Sequence, residues 1–269
     1  MEIAIAGLAG CQAVANIRRG IQLRPSTRDR LGPPSLPIVE TFHSLQGEGL
    51  HAGRSAFFIR LAGCSVGCSW CDTKHSWPAA AHGQRSLGDL TAEALAAAND
   101  GAAFVVITGG EPLEQDLDPL CAALASTGLP LHLETSGTAP LSGRFAWITL
   151  SPKAHCPPGP ELLAACDELK VVVHGPTDLA FAEAMAEQAI QARQLPNLSG
   201  GISGGPTAPV PATTADRDSA DGPPSVLGPA LLLQPGWESA QGQELAITYV
   251  RSHPAWRLSL QGHKWLGVR

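Results

Sequence analysis

The chain has 269 residues, of which 44% are hydrophobic and 5% aromatic, with a formal net charge of −6. That length and apolar content suffice for one large α/β domain or two small ones, and the negative balance argues against a general nucleic-acid-binding surface. No apolar run approaches the ~20 residues that span a bilayer, and one tight cluster among seven cysteines suits a reducing cytoplasm better than a secreted disulfide framework.

Residues 1–37 read as an irregular leader ending in an Arg- and Pro-rich stretch. Leu8-Ala-Gly-Cys11 has the outline of a lipoprotein cleavage site, but Glu2 and the lack of a basic segment before it argue against lipidation. The only methionines are Met1 and Met185, so a start near Val39 from a non-Met codon is an open reading. Regular pattern begins with a strand over Ala56–Leu61, which feeds the run Cys64-Ser-Val-Gly-Cys68-Ser-Trp-Cys71. A helix over Thr91–Asn99 follows, then a strand at Phe104–Thr108 running into Gly109-Gly110-Glu111-Pro112. A helix is expected at Leu117–Ser126, and strands at Leu131–Glu134, Ala146–Leu150 and Leu169–Val173. Helices at Leu179–Ala192 and Ser239–Ser252 flank a strand at Ala230–Gln234, and a last strand covers Trp256–Leu260. Residues 197–229, rich in Gly, Pro, Ser, Thr and Ala, read as a disordered insertion in a surface loop. The domain thus spans 38–269 around that insertion. Short apolar strands alternating with helices indicate parallel βαβ units. The strands are too few for a closed eight-stranded barrel, so the expected fold is α/β, a partial, open (β/α) barrel.

The cysteine run carries the chemistry. Its spacing, Cys-x3-Cys-x2-Cys, has no fourth cysteine, whereas structural zinc sites and ordinary iron–sulfur centres are closed by four protein ligands. Three thiolates leave one corner of a cubane [4Fe–4S] cluster open to an outside ligand. Zinc with His75 as fourth ligand is the competing reading. Gly-Gly-Glu-Pro after a strand is a weak signal by itself and equally a turn, but about forty residues beyond such a cysteine loop it gains weight. Glycines there let backbone approach a ligand closely, and Glu111 can accept hydrogen bonds from an ammonium group. Cys121 and Cys166 fall in helical patterns and read as core.

The cysteine loop and Gly-Gly-Glu-Pro resemble the radical S-adenosylmethionine superfamily. Further motifs narrow the resemblance: Ser44-Leu-Gln-Gly-Glu-Gly49, Arg60 before the loop, Trp70-Cys71-Asp72-Thr73, Glu134-Thr-Ser-Gly-Thr138, Ser151-Pro-Lys153, Lys170 and Gln261-Gly-His263-Lys264. In this order they resemble the 7-carboxy-7-deazaguanine synthase family. The resemblance implies conversion of 6-carboxy-5,6,7,8-tetrahydropterin to 7-carboxy-7-deazaguanine with loss of ammonia, with S-adenosylmethionine recycled as radical source. It implies a cluster on Cys64, Cys68 and Cys71, and a Mg2+ ion reached by Thr73. It implies an S-adenosylmethionine site of Trp70, Cys71, Asp72, Gly110, Ser151, Pro152 and Lys153. Leu45, Gln46, Gly47, Arg60 and Thr108 would contact substrate. It further implies a flavodoxin- or ferredoxin-type electron donor and a homodimer, with no nucleic-acid or membrane partner. A glycyl-radical activase, and a non-catalytic iron–sulfur carrier or zinc module, are the alternatives. Several residues stay open. Trp70 either shields the cluster or packs in the core. Glu134 either meets ribose or substrate or is the buried partner of Lys153 or Lys170. His263 is either a general base or a structural side chain. The tail Leu266–Arg269 departs from the family pattern, which leaves Arg269 without a secure role.

Overall fold

Seven strands lie side by side in chain order and run parallel, and that arrangement places the cysteine, Gly-Gly-Glu-Pro and Ser151-Pro-Lys153 loops together at the strand ends. The structure, a computed structural model, describes residues 34–194 and 228–269. The strands are β1 (Ser35–Leu45), β2 (Ser55–Leu61), β3 (Gln84–Ser86), β4 (Phe104–Gly109), β5 (Leu131–Thr135), β6 (Trp147–Leu150), β7 (Glu168–Val173), β8 (Ala230–Pro235) and β9 (Trp256–Leu258). They form one sheet in the order β3-β1-β2-β4-β5-β6-β7-β8-β9. β1 pairs antiparallel with β2 and β3, and from β2 to β9 each pairing is parallel. Among the described residues β9 does not pair back to β3, so the barrel is partial and open as expected.

The two faces of each strand separate by period two. Phe57, Ile59 and Leu61 of β2, Val105 and Ile107 of β4, Leu131 and Leu133 of β5, and Leu169, Val171 and Val173 of β7 enter the main core under the helices. The alternate residues line the inside. Ala56, Phe58, Phe104 and Val106 make a small apolar cluster with Phe42 near the strand starts. Arg60, Thr108 and Glu134 follow toward the strand ends, where parallel barrels carry their active face.

The helices are α1 (Leu87–Asn99), α2 (Asp118–Leu124), α3 (Pro160–Ala165), α4 (Pro176–Gln194), α5 (Ala240–Ser252) and α6 (Gly262–Leu266). α1 buries Leu87, Leu90, Ala94 and Ala97, a single stripe at helical spacing. Its start lies upstream of the predicted Thr91, because Ser86 caps it by accepting from Asp89 N at 3.1 Å. Each buried leucine of this stripe contributes about 1.5–3 kcal/mol. Cys121 and Cys166 are buried core residues, as read, and burial pushes the Cys166 thiol up to about 12. No helix of the described residues is long and apolar enough to cross a membrane.

Four elements escaped the sequence reading: β1, β3, α3 and α6. β1 begins at Ser35, so Ser35–Pro37, assigned to the leader, belong to the sheet and pair with Gln84–Ser86. β3, α3 and α6 are too short to show periodicity. Residues 1–33 of the leader, with Cys11, and residues 197–227 of the proposed insertion lie outside the described residues.

The hairpin loop between β1 and β2 reaches across the barrel opening. Leu50 N donates to Glu168 Oε2 of β7 at 2.9 Å, and Gly49 N donates to Ser259 Oγ at 3.0 Å. Gly262 N donates to Gly47 O at 2.8 Å. The Gln46-Gly-Glu-Gly49 motif is therefore a bridge from the first strands to the last.

Candidate active site

The cysteine loop leaves β2 and is fixed from several sides. Gly63 N and Cys64 N donate to Ser76 O and Trp77 O at 2.8 and 3.2 Å. Ser65 donates through both N and Oγ to Glu114 Oε1, each at 2.7 Å. The Gly-Gly-Glu-Pro segment presses on the loop from below: Gly110 N donates to Leu61 O, and Glu111 N to Gly63 O. A Cβ on Gly110 would stand 2.1 Å from Gly63 O and 3.0 Å from Cys64 Cβ, so only glycine allows this approach.

Glu111 is not the ammonium acceptor the sequence allowed. It is 1% exposed, and its two oxygens accept from Leu113 N, Thr135 Oγ1, Ser136 N and Ser136 Oγ. Two donors on each oxygen fill the carboxylate. Its work is to tie the motif to the end of β5, leaving backbone and neighbours to meet a ligand.

Cys64, Cys68 and Cys71 are free thiols. Burial pushes the Cys64 and Cys68 thiols up, so a metal must displace protons to bind there. Among the described residues no three His, Cys, Asp or Glu side chains converge on one ion. A single zinc would draw all its sulfurs to about 2.3 Å from one point, whereas a cubane spreads three thiolates over three irons. The free thiols on one pinned loop fit the cluster, and His75 is not gathered with them.

Around this loop stand the residues expected at S-adenosylmethionine. Lys153 Nζ donates to Ser151 O and Oγ, both at 2.8 Å, and lies 5.1 Å from the Trp70 ring centre. Burial brings the Lys153 ammonium down to about 8, with Cys68 acting against the shift. Ser151 N is anchored on Thr135 O. Trp70 is 44% exposed and lies tilted against His174, so its alternative as a core residue falls away.

A cavity of about 150 Å³ adjoins the loop. All five expected substrate contacts, Leu45, Gln46, Gly47, Arg60 and Thr108, line it, together with Asp72 and Thr73. Thr73 Oγ1 lies 3.5 Å from Cys71 Sγ, which makes Cys71–Thr73 the seam between loop and cavity. Asp72, expected with the cofactor group, pairs with Lys264 and also faces the cavity. Arg60 donates through Nε to Glu40 at 3.0 Å, which fixes its guanidinium. The second Glu40 oxygen accepts from Arg269 at 3.0 Å, so Arg269 reaches the cavity after all.

Glu134 resolves differently from either buried-lysine alternative. It accepts from Gln46 Nε2 and Thr108 Oγ1, each at 2.9 Å, and lines the cavity. The partner of Lys170 is Glu48. Burial alone would raise the Glu48 carboxyl, but the Lys170 ammonium and hydrogen bonds win and hold it at about 2. Lys170 is raised: desolvation opposes this, but Glu48, Glu134 and Glu168 together outweigh it. Gln261 Nε2 also donates to Glu48, at 3.1 Å. His263 lines the cavity, packs where a Gly47 Cβ would sit 2.3 Å from its Nδ1, and is pushed below the usual histidine range by burial. Glu48 was read only as part of a motif. Its signal was Lys170 inside an apolar strand, which demands a carboxylate.

The profile of the Radical SAM superfamily matches residues 58–172. The 7-carboxy-7-deazaguanine synthase of Prochlorococcus marinus is 50% identical over 240 residues, covering 87% of this chain and 98% of that protein. The chain belongs to the 7-carboxy-7-deazaguanine synthase family. The synthase of Escherichia coli K12 is 33% identical over 251 residues, covering 86% of this chain and 98% of that one. The crystal structure of QueE from Escherichia coli superposes with a TM-score of 0.62 at 30% identity, over 85% of this chain and 95% of that one. The family carries the radical S-adenosylmethionine chemistry that the three thiolates fit.

Proposed function

We propose that the chain converts 6-carboxy-5,6,7,8-tetrahydropterin to 7-carboxy-7-deazaguanine with release of ammonia; the name of its relatives supports the product of this reading. The observation that carries this reading is one small cavity, lined by Arg60 at one side and Glu134 at another, and joined to the cysteine loop through Asp72-Thr73. When bound, a [4Fe–4S] cluster with S-adenosylmethionine would supply radical chemistry for hydrogen abstraction. Cys64, Cys68 and Cys71 would hold that cluster, and Trp70, Gly110, Ser151, Pro152 and Lys153 the cofactor.

The protein's own groups then sort by charge. Arg60, fixed by Glu40, offers its remaining N–H groups to a carboxylate. Glu134, held by Gln46 and Thr108, accepts from the amino and ring N–H donors of a pterin. His263, pushed below the usual histidine range by burial, lines the cavity and would be the proton acceptor there if the bound ring loses one. Thr73 would contribute one hydroxyl to Mg2+. Bound beside Thr73, such an ion, which prefers oxygen ligands, would help orient the substrate.

The same reading calls for a one-electron donor of the flavodoxin or ferredoxin type, and for work in the cytoplasm without nucleic-acid or membrane partners. It also includes a homodimer. The exposed apolar side chains Trp237, Leu258, Leu260 and Trp265 at the β9 edge support an interface there. A glycyl-radical activase is disfavoured because about 150 Å³ suits a small molecule better than a polypeptide loop. The test is anaerobic reconstitution with reductant, S-adenosylmethionine, Mg2+ and 6-carboxytetrahydropterin. The expected product is 7-carboxy-7-deazaguanine, and its absence from fully cluster-loaded protein would overturn the assignment.

A further inference from the structure

His155 belongs to none of the motifs, yet it touches the cysteine loop. It sits on the turn after β6, just beyond Ser151-Pro-Lys153. The turn is short and fixed: Cys156 N donates to Lys153 O at 3.0 Å, and the two residues form an antiparallel bridge. This carries the His155 ring to the loop, where Nε2 lies 3.0 Å from Val66 O and 3.9 Å from Cys68 Sγ. A carbonyl oxygen only accepts, so Nε2 must hold the proton. The same N–H therefore faces the Cys68 sulfur as a donor.

The three sulfurs sit in unlike surroundings. Cys64 faces Glu111 and Glu114, Cys71 meets the Thr73 hydroxyl, and Cys68 faces Lys153 and His155. A reduced cluster carries one more negative charge than an oxidised one. Donors aimed at its sulfurs stabilise that charge and raise the reduction potential.

Resting on the radical-enzyme reading, we propose that His155 is a positioning residue. Its Nε2–H holds the cysteine loop through Val66 and donates to the Cys68 sulfur, which eases reduction of the cluster.

The experiment compares full-length wild type, His155→Phe and His155→Gln, each reconstituted anaerobically. Iron content and an EPR-monitored redox titration are read without substrate. His155→Phe should keep its iron, while its reduced-to-oxidised ratio at the wild-type midpoint falls by about three- to tenfold, at most about 59 mV for a one-electron couple. His155→Gln keeps an N–H and should stay close to wild type. A wild-type midpoint in His155→Phe, or equal shifts in both variants, would overturn the proposal. If His155→Phe loses its iron, pulsed EPR of wild type with 15N-labelled histidine decides: a weak nitrogen coupling to the reduced cluster supports the contact, and its absence refutes it. A wild type that forms no cluster would overturn the radical reading as well, whereas an intact cluster with an unmoved midpoint removes only the role of His155.

Discussion

Thr108 donates its hydroxyl to Glu134 at 2.9 Å, from the end of one strand to the end of the next. The pair lies on the inner face, and Thr108 is also in register with Arg60 on the other side. Three adjacent strands thus present a cation, a hydroxyl and a carboxylate in a row. Thr108→Val keeps the shape and removes the donor that aims Glu134. A hydrogen bond to a charged group contributes about 1.5–3 kcal/mol, so KM for the pterin should rise about tenfold or more with folding nearly unchanged. Steady-state kinetics with urea unfolding checks this, and an unchanged KM would remove Thr108 from the site.

Glu48, half-buried, and Lys170, buried, form an ion pair between the bridging loop and β7. Glu48→Gln or Lys170→Met alone strands a charge and should cost about 3–5 kcal/mol. The double variant should recover much of that loss. Acid acts in the same direction. Glu48 titrates at about 2 folded against an ordinary 4.5, so its contribution is complete above about pH 4.5 and is lost as pH falls toward 2. Unfolding curves across that range should flatten in the double variant.

His132 is buried against Phe104, with ring centres 4.2 Å apart. Burial, with His51 and Arg54, lowers it to about 3. The unfolded chain takes up a proton near pH 6.5 and the folded chain does not, so its contribution is lost as pH falls from 6.5 toward 3. At pH 5 the loss is about 2 kcal/mol. His132→Phe should remove that part of the acid sensitivity, measured as the change in urea midpoint between pH 7.5 and 5. An equal pH slope in wild type and variant would count against it.

Gly110→Ala should disturb the cysteine loop more than the rest of the fold. The new Cβ meets Gly63 O and Cys64 Cβ, and such overpacking costs about 1–3 kcal/mol. Iron bound after reconstitution should drop well below wild type while circular dichroism keeps its shape. Full iron loading would show that the loop yields.

Thr73→Ala should abolish most of the stimulation by Mg2+ at saturating S-adenosylmethionine while leaving cluster content intact. Asp72, the neighbouring carboxylate at this seam, is engaged by Lys264, so a Mg2+ ion bound there would depend on the Thr73 hydroxyl. Turnover measured against Mg2+ concentration is the check, and a wild-type response would take Thr73 out of the metal site.

What the sequence determined by itself was local. The spacing of Cys64, Cys68 and Cys71 defines a three-ligand loop because those residues lie within one short turn of chain. Alternating apolar strands and helices indicated parallel βαβ units because side-chain period follows backbone geometry. Period two in Leu131-His-Leu-Glu134 even places His132 and Glu134 on one face. What only the tertiary structure decided were the pairings between distant segments. Gln46 meets Glu134 across 88 residues and Gln261 meets Glu48 across 213. Lys170 draws its partner from the bridging loop, Arg269 reaches Glu40, and Glu111 spends its oxygens on β5. Each depends on strand order and on the β1–β2 loop crossing the barrel opening, and a carboxylate's partner in a folded chain is set by proximity in space, which no spacing along the sequence encodes.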